Sequence, residues 1–318
     1  MSSSGDVPLA EIVRSGFTEG RHLGRLVILA PDGTVELALG DVGAVMLPRS
    51  SNKPLQAVAM LDHGLGVDGE LLALAAASHA GEPFHLAGVR SILAGAGLNE
   101  DALQCPASWP LSQDAKLALV RAGRTPVRIT MNCSGKHAAM LATCVQNAWP
   151  TADYLAPDHP LQTAVRSTVA RLAEEPVGYD AVDGCGAPLY GISLVGLAHA
   201  FRAMVVAARG TPERRVADAM RVHPEYVSGT RRLDTDLMLG VPGLLAKGGA
   251  EGVQALALAD GRALAFKLGD GDLERRACGP VTVAALRRMG IEVAVLDRYA
   301  EEPLFGGGVQ VGAVRATL

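Results

Sequence analysis

The sequence predicts an α+β protein in which strands from both ends of the chain form an antiparallel sheet and helices fill the middle. Strand-like patterns are concentrated in residues 24–40 and 244–268, whereas residues 54–222 show mainly the helical spacing of apolar residues. Strands that come first and return last, with helices between them, are typical of an α+β order and not of alternating βαβ units.

Length and composition favour one large unit. The chain has 318 residues, of which 49% are hydrophobic but only 4% aromatic, so the core must consist of Ala, Val and Leu with many glycines. This composition favours closely packed helices over a sheet sandwich. We predict a single unit over residues 1–318, with a sheet region at 1–48 and 240–318 and a mainly helical region at 49–239.

Several features of the sequence exclude whole classes of protein. The longest apolar run, Leu71–Ala77, is too short to span a bilayer, and the N-terminus has no basic region followed by an apolar one. Five cysteines without framework spacing indicate a reducing compartment. A net charge of −4 without a long basic run predicts no nucleic-acid partner. We therefore expect a cytoplasmic enzyme that binds a small molecule and neither nucleic acid nor membrane.

The individual elements follow from local patterns. Residues 24–40 predict a hairpin, because the apolar run Leu26–Leu29 and the alternating segment Val35–Leu39 flank the turn residues Pro31–Gly33. Pro54 suits the first turn of the helix that follows. Further helices are predicted at 70–77, 85–96, 113–121, from 135 onward, and at 161–173, 192–206, 212–222 and 281–289. Further strands are predicted at 179–182, 244–247, 253–258 and 263–268.

A first chemical cluster lies in Asn132–His137, directly before a helical pattern. A helix N-terminus and two neighbouring cations would favour the thiolate of Cys133. Cys185, in a separate glycine-flanked turn, could join Cys133 in holding a soft metal such as zinc. A redox pair and two inert thiols are the alternatives. Lys136 is an unusual ligand that would have to lose its proton, and His137 is the more conventional candidate.

A second cluster combines serines with lysines. Ser50 and Lys53 lie one turn apart at a helix start, Ser78 follows a helix end, and Lys247 precedes two glycines at a strand end, with an Asp-rich loop between them. A partly buried lysine can accept the proton of a serine nucleophile. The glycines would let a substrate approach backbone N–H groups that stabilise an oxyanion.

This order of motifs resembles that of the penicilloyl-serine enzymes. The match is loose, because Gly248 replaces a hydroxyl residue and no S-x-N follows Ser78. The similarity therefore indicates a shared fold and nucleophile chemistry, and not a shared substrate.

Five blocks, taken together, resemble the Rhizobium etli type L-asparaginases, the asparaginase II family. The blocks are RSSNKPLQA (49–57), ASHAGEPFH (77–85), NCSGKHAAML (132–141), DGCGAPLYGISL (183–194) and AKGGAEG (246–252), in the family's order. Ala139 stands where the family is expected to have glycine. This position follows Cys133 and Lys136, the residues of the block that carry its chemistry.

The resemblance implies a serine β-lactamase/glutaminase-like fold, the hydrolysis of L-asparagine to L-aspartate and ammonia, and a homodimer. It also implies two Ser–Lys pairs, Ser50 with Lys53 and Ser78 with Lys247. It further implies a Zn²⁺ site on Cys133, Lys136 and Cys185, with water as the fourth ligand.

We expect Ser50 to attack the amide and Lys53 to take its proton, while Ser78 and Lys247 relay a proton to the leaving ammonia. Ser78 is the alternative nucleophile. Arg49 is a candidate partner of the substrate's α-carboxylate, although an ion pair within the protein is an equal alternative.

Asp183 is predicted to bond Lys136 or the substrate's α-ammonium, and Glu82 and His137 are candidates for the site or for loop structure. Two other functions remain open. One is hydrolysis of glutamine or another amide on the same fold, and the other is non-catalytic binding of zinc or a metabolite.

Overall fold

A computed structural model describes residues 5–318. The strands of this part of the chain are β1 Val7–Arg14, β2 Phe17–Leu29, β3 Val35–Leu39, β4 Tyr179–Val182, β5 Pro188–Gly191, β6 Leu245–Gly248, β7 Val253–Ala257, β8 Ala263–Leu268, β9 Glu301–Gly306 and β10 Val309–Ala316. Its α-helices are α1 Lys53–Asp62, α2 Gly69–Ala75, α3 Pro83–Gly95, α4 Gln113–Arg121, α5 Ser134–Gln146, α6 Pro160–Ala173, α7 Leu194–Val206, α8 Pro212–Val222, α9 Pro224–Ser228, α10 Leu233–Gly240 and α11 Cys278–Arg288.

Eight strands form one antiparallel sheet in the order β6-β7-β8-β2-β1-β10-β9, with β3 also paired to β2. The long strand β2 joins the two ends of the chain, because Leu26 pairs with Phe266 of β8 on one side and with Leu39 of β3 on the other. Strands from both ends of the chain, with helices between them, confirm the α+β prediction. This is also the architecture that a serine β-lactamase-like class implies.

Most predicted elements are present, but the sheet is larger than predicted. Strands β1, β5, β9 and β10 and the short helices α9 and α10 were not predicted from the sequence. In β9 only Leu304 is buried, so this edge strand has no apolar alternation to detect. The small β4–β5 hairpin also lies within the region predicted to be helical.

Helix α1 is the centre of the helical layer. All of its residues from Lys53 to Leu61 are buried, and it contacts α2, α5, α6 and α8. Helix α7 packs on β2, β7 and β8, which joins the helical layer to the sheet. A helix buried on every side must use even its first turn for packing, so the position of Lys53 is fixed by the core.

Across residues 5–318, the structure contains no helix with the length and apolar character needed to cross a membrane.

Candidate active site

Ser50 lies in a tight turn immediately before α1. The turn begins with Arg49 in a left-handed conformation, at φ 52°, which is rare for a residue other than glycine. The end of β6 packs directly against the turn. A Cβ atom on Gly249 would come within 2.7 Å of the Pro48 carbonyl oxygen. Glycine at this position therefore allows the Lys247 strand to lie beside the Ser50 turn.

The Ser78 hydroxyl lies between two buried lysine amines. Lys53 Nζ donates to Ser78 Oγ at 2.9 Å and to the Ala77 carbonyl oxygen at 2.7 Å. Lys247 Nζ donates to the same Oγ at 3.2 Å and to the carbonyl oxygen of the next residue, Gly248, at 2.7 Å. Within the described residues, no hydrogen bond joins Ser50 Oγ to Lys53 Nζ. The structure thus brings the predicted serines and lysines together, with Ser78 bridging the two amines.

The loop that carries Ser78 is fixed by the buried His79. His79 Nε2 lies 2.8 Å from Ser134 Oγ of α5, and its Nδ1 accepts the N–H of Gly81 at 3.1 Å. Burial, with added repulsion from His85 and Lys53, holds the pKa of His79 well below its usual value. A neutral ring with both nitrogens engaged positions the Ser78 loop against α5.

A cavity of about 220 Å³ opens in front of these groups. Its lining includes both predicted serines, Ser50 and Ser78, as well as Lys247. Asp234, at the start of α10, also lines it, as do the arginines Arg232 and Arg275. A cavity of this size fits a small substrate, and its base is a serine–lysine cluster.

The surroundings of Lys247 favour its neutral amine. Burial and the nearby cations Lys53 and Arg275, opposed by the Asp234 carboxylate, together lower the pKa of Lys247 to about 7. Burial would raise the pKa of Asp234, but Lys247 and the hydrogen bonds from Gln254 Nε2 and the Gly248 N–H outweigh it, so the pKa is lowered. Lys247 can therefore exchange a proton near neutral pH.

The backbone donors after Lys247 differ from the sequence expectation. The N–H of Gly248 donates to Asp234 Oδ2 at 2.8 Å, and that of Gly249 donates to the Val253 carbonyl at 2.8 Å. Neither glycine therefore offers a free donor. Ala250 also lines the cavity, and its N–H has no hydrogen-bond partner among residues 5–318. Of these three, the N–H of Ala250 is the one available to an oxyanion.

The predicted metal residues form a second buried cluster. Lys136 Nζ lies 3.0 Å from Cys185 Sγ, and the Cys133 thiol lies beside the same sulfur. All five cysteines are free thiols. In the described part of the chain no three His, Cys, Asp or Glu side chains are grouped to hold a metal, but the third predicted donor here is a lysine.

Cys185, and not Cys133, is the favoured thiolate. The hydrogen bond to Cys185 and burial raise the pKa of Cys133 well above its usual value, so the expectation that the helix N-terminus favours a Cys133 thiolate was wrong. The Cys133 hydrogen bond and the charge of Lys136 lower the pKa of Cys185, although burial opposes the shift. A buried thiolate, an adjacent thiol and an amine are a donor set that suits a soft metal ion.

His137 lies beside this cluster and does not line the 220 Å³ cavity. Its Nδ1 lies 2.7 Å from the Tyr154 hydroxyl oxygen, and its ring also hydrogen-bonds the Cys185 sulfur. Burial lowers the pKa of His137, although this hydrogen bond opposes the shift. A neutral imidazole beside the favoured thiolate is a further donor at the thiol cluster.

An ion pair connects the thiol loop with the Ser50 turn. Arg49 Nε lies 2.8 Å from Asp183 Oδ1, and Arg49 Nη1 lies 3.5 Å from Glu251 Oε1. Asp183 Oδ1 also accepts the N–H of Gly184 at 2.9 Å. Asp183 is two residues before Cys185, the favoured thiolate. Arg49 and Asp183, both predicted to bind substrate, are therefore bonded to each other.

Glu82 lies outside the cavity that contains the serines. Its Oε1 accepts the N–H and the hydroxyl of Thr230, at 3.1 and 3.0 Å. It lines a neighbouring cavity of about 580 Å³, which shares Leu111 and Arg232 with the first. Its contacts in the structure connect the α3 start to the loop before α10.

The sequence did not identify every charged residue of the cavity. The sequence indicated an Asp-rich loop between Ser78 and Lys247 but did not single out Asp234, which lies in the first turn of α10. Arg232 and Arg275 carry no motif, since each is one arginine of a polar loop. Only the fold brings them to Lys247.

Comparison with known families identifies the family of this chain. Residues 10–316 match the family described as L-asparaginase II. The chain belongs to this family. Membership of the L-asparaginase II family supports an amidohydrolase that acts on a small molecule, as the Ser–Lys cluster and the cavity of about 220 Å³ suggest. No curated protein sequence matches the chain significantly.

Three solved structures show distant likeness. A β-lactamase from Mycobacterium bovis is 17% identical, with 84% of this chain and 95% of that chain covered and a TM-score of 0.46. Mglu in its glutamate form is 13% identical, with 89% and 65% covered and a TM-score of 0.48. EstCE1, a hydrolase with promiscuous acyltransferase activity, is 13% identical, with 80% and 92% covered and a TM-score of 0.41. At these identities and scores we draw no function from them.

Proposed function

We propose that this member of the L-asparaginase II family hydrolyses L-asparagine to L-aspartate and ammonia, as a Rhizobium etli type enzyme. The observation that supports the proposal most is the Ser78 hydroxyl held between the Lys53 and Lys247 amines, in a cavity also lined by Ser50. A non-catalytic binding domain has no need of two buried amines on one hydroxyl.

In the proposed first half-reaction, Ser50 Oγ attacks the side-chain amide carbon of asparagine. Lys53 takes the Ser50 proton, and the Ala250 N–H faces the developing oxyanion. The C–N bond then breaks as the nitrogen receives a proton through Ser78, which two amines can supply. Ammonia leaves, and a β-aspartyl ester remains on Ser50.

In the second half-reaction a water molecule attacks the ester carbonyl and gives its proton to the same lysine–serine relay. The C–O bond to Ser50 breaks, Ser50 Oγ regains a proton, and aspartate leaves. Both serines line the cavity, and Ser78 suits the relay because it has a proton partner on each side. Ser78 remains the alternative nucleophile.

We also propose that Cys133, Lys136 and Cys185 hold a zinc ion, with the buried Nε2 of His137 nearby. Bound zinc would supply a fixed positive charge that keeps the two thiol loops together. Two thiolate ligands make the metal a poor Lewis acid, so this role is one of shape and orientation. The ion pair between Asp183 and Arg49 would then connect the thiol loop to the Ser50 turn and help to fix where that turn lies. Metal analysis of the purified protein tests the assignment.

A homodimer in the cytoplasm completes the proposal. The dimer follows from the resemblance, and the compartment follows from the free thiols and the cysteine pattern. Light scattering of the purified protein and fractionation of cells test these two points. The substrate-binding roles of Arg49, Glu82, His137 and Asp183 stay predictions.

The decisive experiment compares ammonia release from L-asparagine by wild type, Ser50→Ala and Ser78→Ala, with bound zinc measured on each protein. Ser51→Ala is the matched control, because its hydroxyl is next in sequence but bonds the Pro48 carbonyl oxygen at 2.7 Å. Loss of the nucleophile should lower kcat by about 10⁴-fold or more. The control should stay within several-fold of wild type.

Each other outcome changes a specific part of the proposal. Activity retained in Ser50→Ala and lost in Ser78→Ala would transfer the nucleophile to Ser78. Ammonia from L-glutamine but not from L-asparagine would keep the mechanism and change the substrate. A zinc-loaded wild type that releases ammonia from neither amide would overturn the proposed activity.

A further inference from the structure

Arg232 and Arg275 are two cations that the proposed mechanism leaves unused. Both line the 220 Å³ cavity beside Lys247, one from the start of α10 and the other from the loop between β8 and α11. Neither makes an ion pair within residues 5–318. The hydrogen bond of Arg275 in this part of the chain runs from its Nη1 to the Gly249 carbonyl oxygen, at 3.2 Å.

Many arginines elsewhere in residues 5–318 form ion pairs with Asp or Glu side chains. Arg171, for example, lies 2.7 Å from Glu213 and 3.3 Å from Asp62. Removing a guanidinium from water without an anion is unfavourable, so the partly buried Arg232 requires a reason, whereas Arg275 beside it is exposed. Arg232 experiences this cost, because burial and the charge of Arg275 lower its pKa.

The acids near the two arginines are committed elsewhere. Asp234 uses its oxygens for the Gly248 N–H and for Gln254 Nε2, both at 2.8 Å. Glu82 Oε1 is bonded to Thr230. The cavity lining therefore contains three basic side chains against one carboxylate. Such a surface is complementary to an anion that comes from outside the protein.

Gly248 lies close to Arg275. A Cβ atom at this position would lie 2.8 Å from Gln254 Oε1, 3.1 Å from Arg275 Nη2 and 3.4 Å from Asp234 Oδ2. The hydroxyl residue expected from the penicilloyl-serine pattern would therefore crowd the guanidinium as well as Gln254. Since Gly248 follows Lys247, the guanidinium lies one residue away from the lysine whose amine contacts Ser78.

We propose that Arg232 and Arg275 form the subsite for the α-carboxylate of the substrate, which selects an α-amino-acid amide over a simple amide. The inference rests on the proposed amidohydrolase function and adds its specificity. In asparagine two carbons separate the α-carboxylate from the amide carbon, so one small cavity must hold both groups. An arginine fork binds a carboxylate through two parallel hydrogen bonds. The two arginines thus take the role that the sequence assigned to Arg49.

The test compares two substrates that differ only in the carboxylate. L-asparagine and β-alaninamide, which is asparagine without its α-carboxylate, are assayed with wild type, Arg232→Gln and Arg275→Gln. Arg276→Gln is the matched control, because this neighbour lies outside the cavity lining and pairs with Glu274 at 3.3 Å. Each cavity variant should lower kcat/KM for asparagine about 10- to 100-fold, mainly through KM.

The same variants should change kcat/KM for β-alaninamide by less than about twofold, since it has no carboxylate to lose. The Arg276→Gln control should match wild type on both substrates. Equal losses on both substrates would indicate that the arginines only maintain the cavity, which overturns the inference. Unchanged kinetics with asparagine would overturn it as well.

Calorimetry separates this inference from the proposed activity. Wild type should bind L-aspartate, and Arg275→Gln should bind it at least about tenfold more weakly. If wild type binds aspartate through the arginines but releases no ammonia from asparagine, the proposed activity fails and the subsite remains. If it hydrolyses asparagine while the variants bind aspartate normally, the subsite fails and the activity remains.

Discussion

The pKa values of two buried lysines, Lys247 and Lys136, are shifted in opposite directions. Both side chains are about 1% exposed. Burial and the nearby cation Lys53, opposed by Asp234, lower the pKa of Lys247 to about 7. Burial acts in the same direction on Lys136, but the charges of Cys185 and Cys133 outweigh it, so its pKa is raised.

The comparison shows that burial alone does not decide what a buried lysine can do here, because the balance between burial and neighbouring charge differs at the two sites. At Lys247 the Asp234 carboxylate does not offset burial and the nearby cations, so this lysine is close to losing its proton at neutral pH and can accept and return one. At Lys136 the neighbouring cysteines outweigh burial, so this lysine keeps its proton and acts as a fixed charge. One cluster is therefore suited to proton transfer and the other to holding two loops together.

Replacing each lysine by methionine should separate the two roles. Lys247→Met removes a relay group, so kcat for asparagine should fall by about 10³-fold, within the range for a general acid or base. Its free energy of unfolding at neutral pH should fall less than in Lys136→Met, because the loss of repulsion with Lys53 offsets the loss of attraction to Asp234, which keeps its hydrogen bonds from Gly248 and Gln254. Ammonia release and urea denaturation measure the two quantities.

Lys136→Met provides the contrast. Here the Cys185 thiolate loses its partner, and the free energy of unfolding should fall by about 3–5 kcal/mol. Bound zinc should fall with it. If Lys247→Met lost stability and kept turnover, the two clusters would have exchanged roles and the comparison would be wrong.

The sequence anticipated this division only in part. The spacing of Ser50 and Lys53, together with the resemblance to the asparaginase II family, indicated the residues of both clusters, and apolar periodicity indicated most helices. The partners could not be inferred, because they depend on long-range contacts. Lys53 bonds Ser78 instead of the serine one turn away, and Arg49 bonds a residue more than one hundred positions later. Edge strands such as β9 are nearly all exposed and leave no apolar pattern.

The pH dependence of activity should report Lys247. If its neutral amine is needed, kcat/KM for asparagine should rise with pH and reach half its maximum at about pH 7, where the folded protein loses this proton. Asp234 opposes the lowered pKa, so Asp234→Asn should move the midpoint to lower pH. Initial rates at constant ionic strength give both profiles. A midpoint that does not move in Asp234→Asn would show that another group titrates.

The smallest expected effect concerns the connection between the clusters. Arg49→Gln removes the ion pair with Asp183. The Arg49 side chain is 24% exposed and the Asp183 side chain is 11% exposed. A half-buried pair of this kind is worth about 1 kcal/mol, so kcat/KM for asparagine and zinc affinity should each fall about fivefold. Glu251→Gln is the control, since its contact with Arg49 is longer, at 3.5 Å.

Two alternatives to this connection give different results. If the pair does not couple the clusters, Arg49→Gln lowers one quantity and leaves the other unchanged. If Arg49 binds the α-carboxylate, as the sequence predicts, the variant lowers asparagine hydrolysis far more than that of β-alaninamide. A double-mutant cycle with Asp183→Asn then decides, because coupling between Arg49 and Asp183 requires non-additive losses, whereas a direct substrate contact leaves the two losses additive.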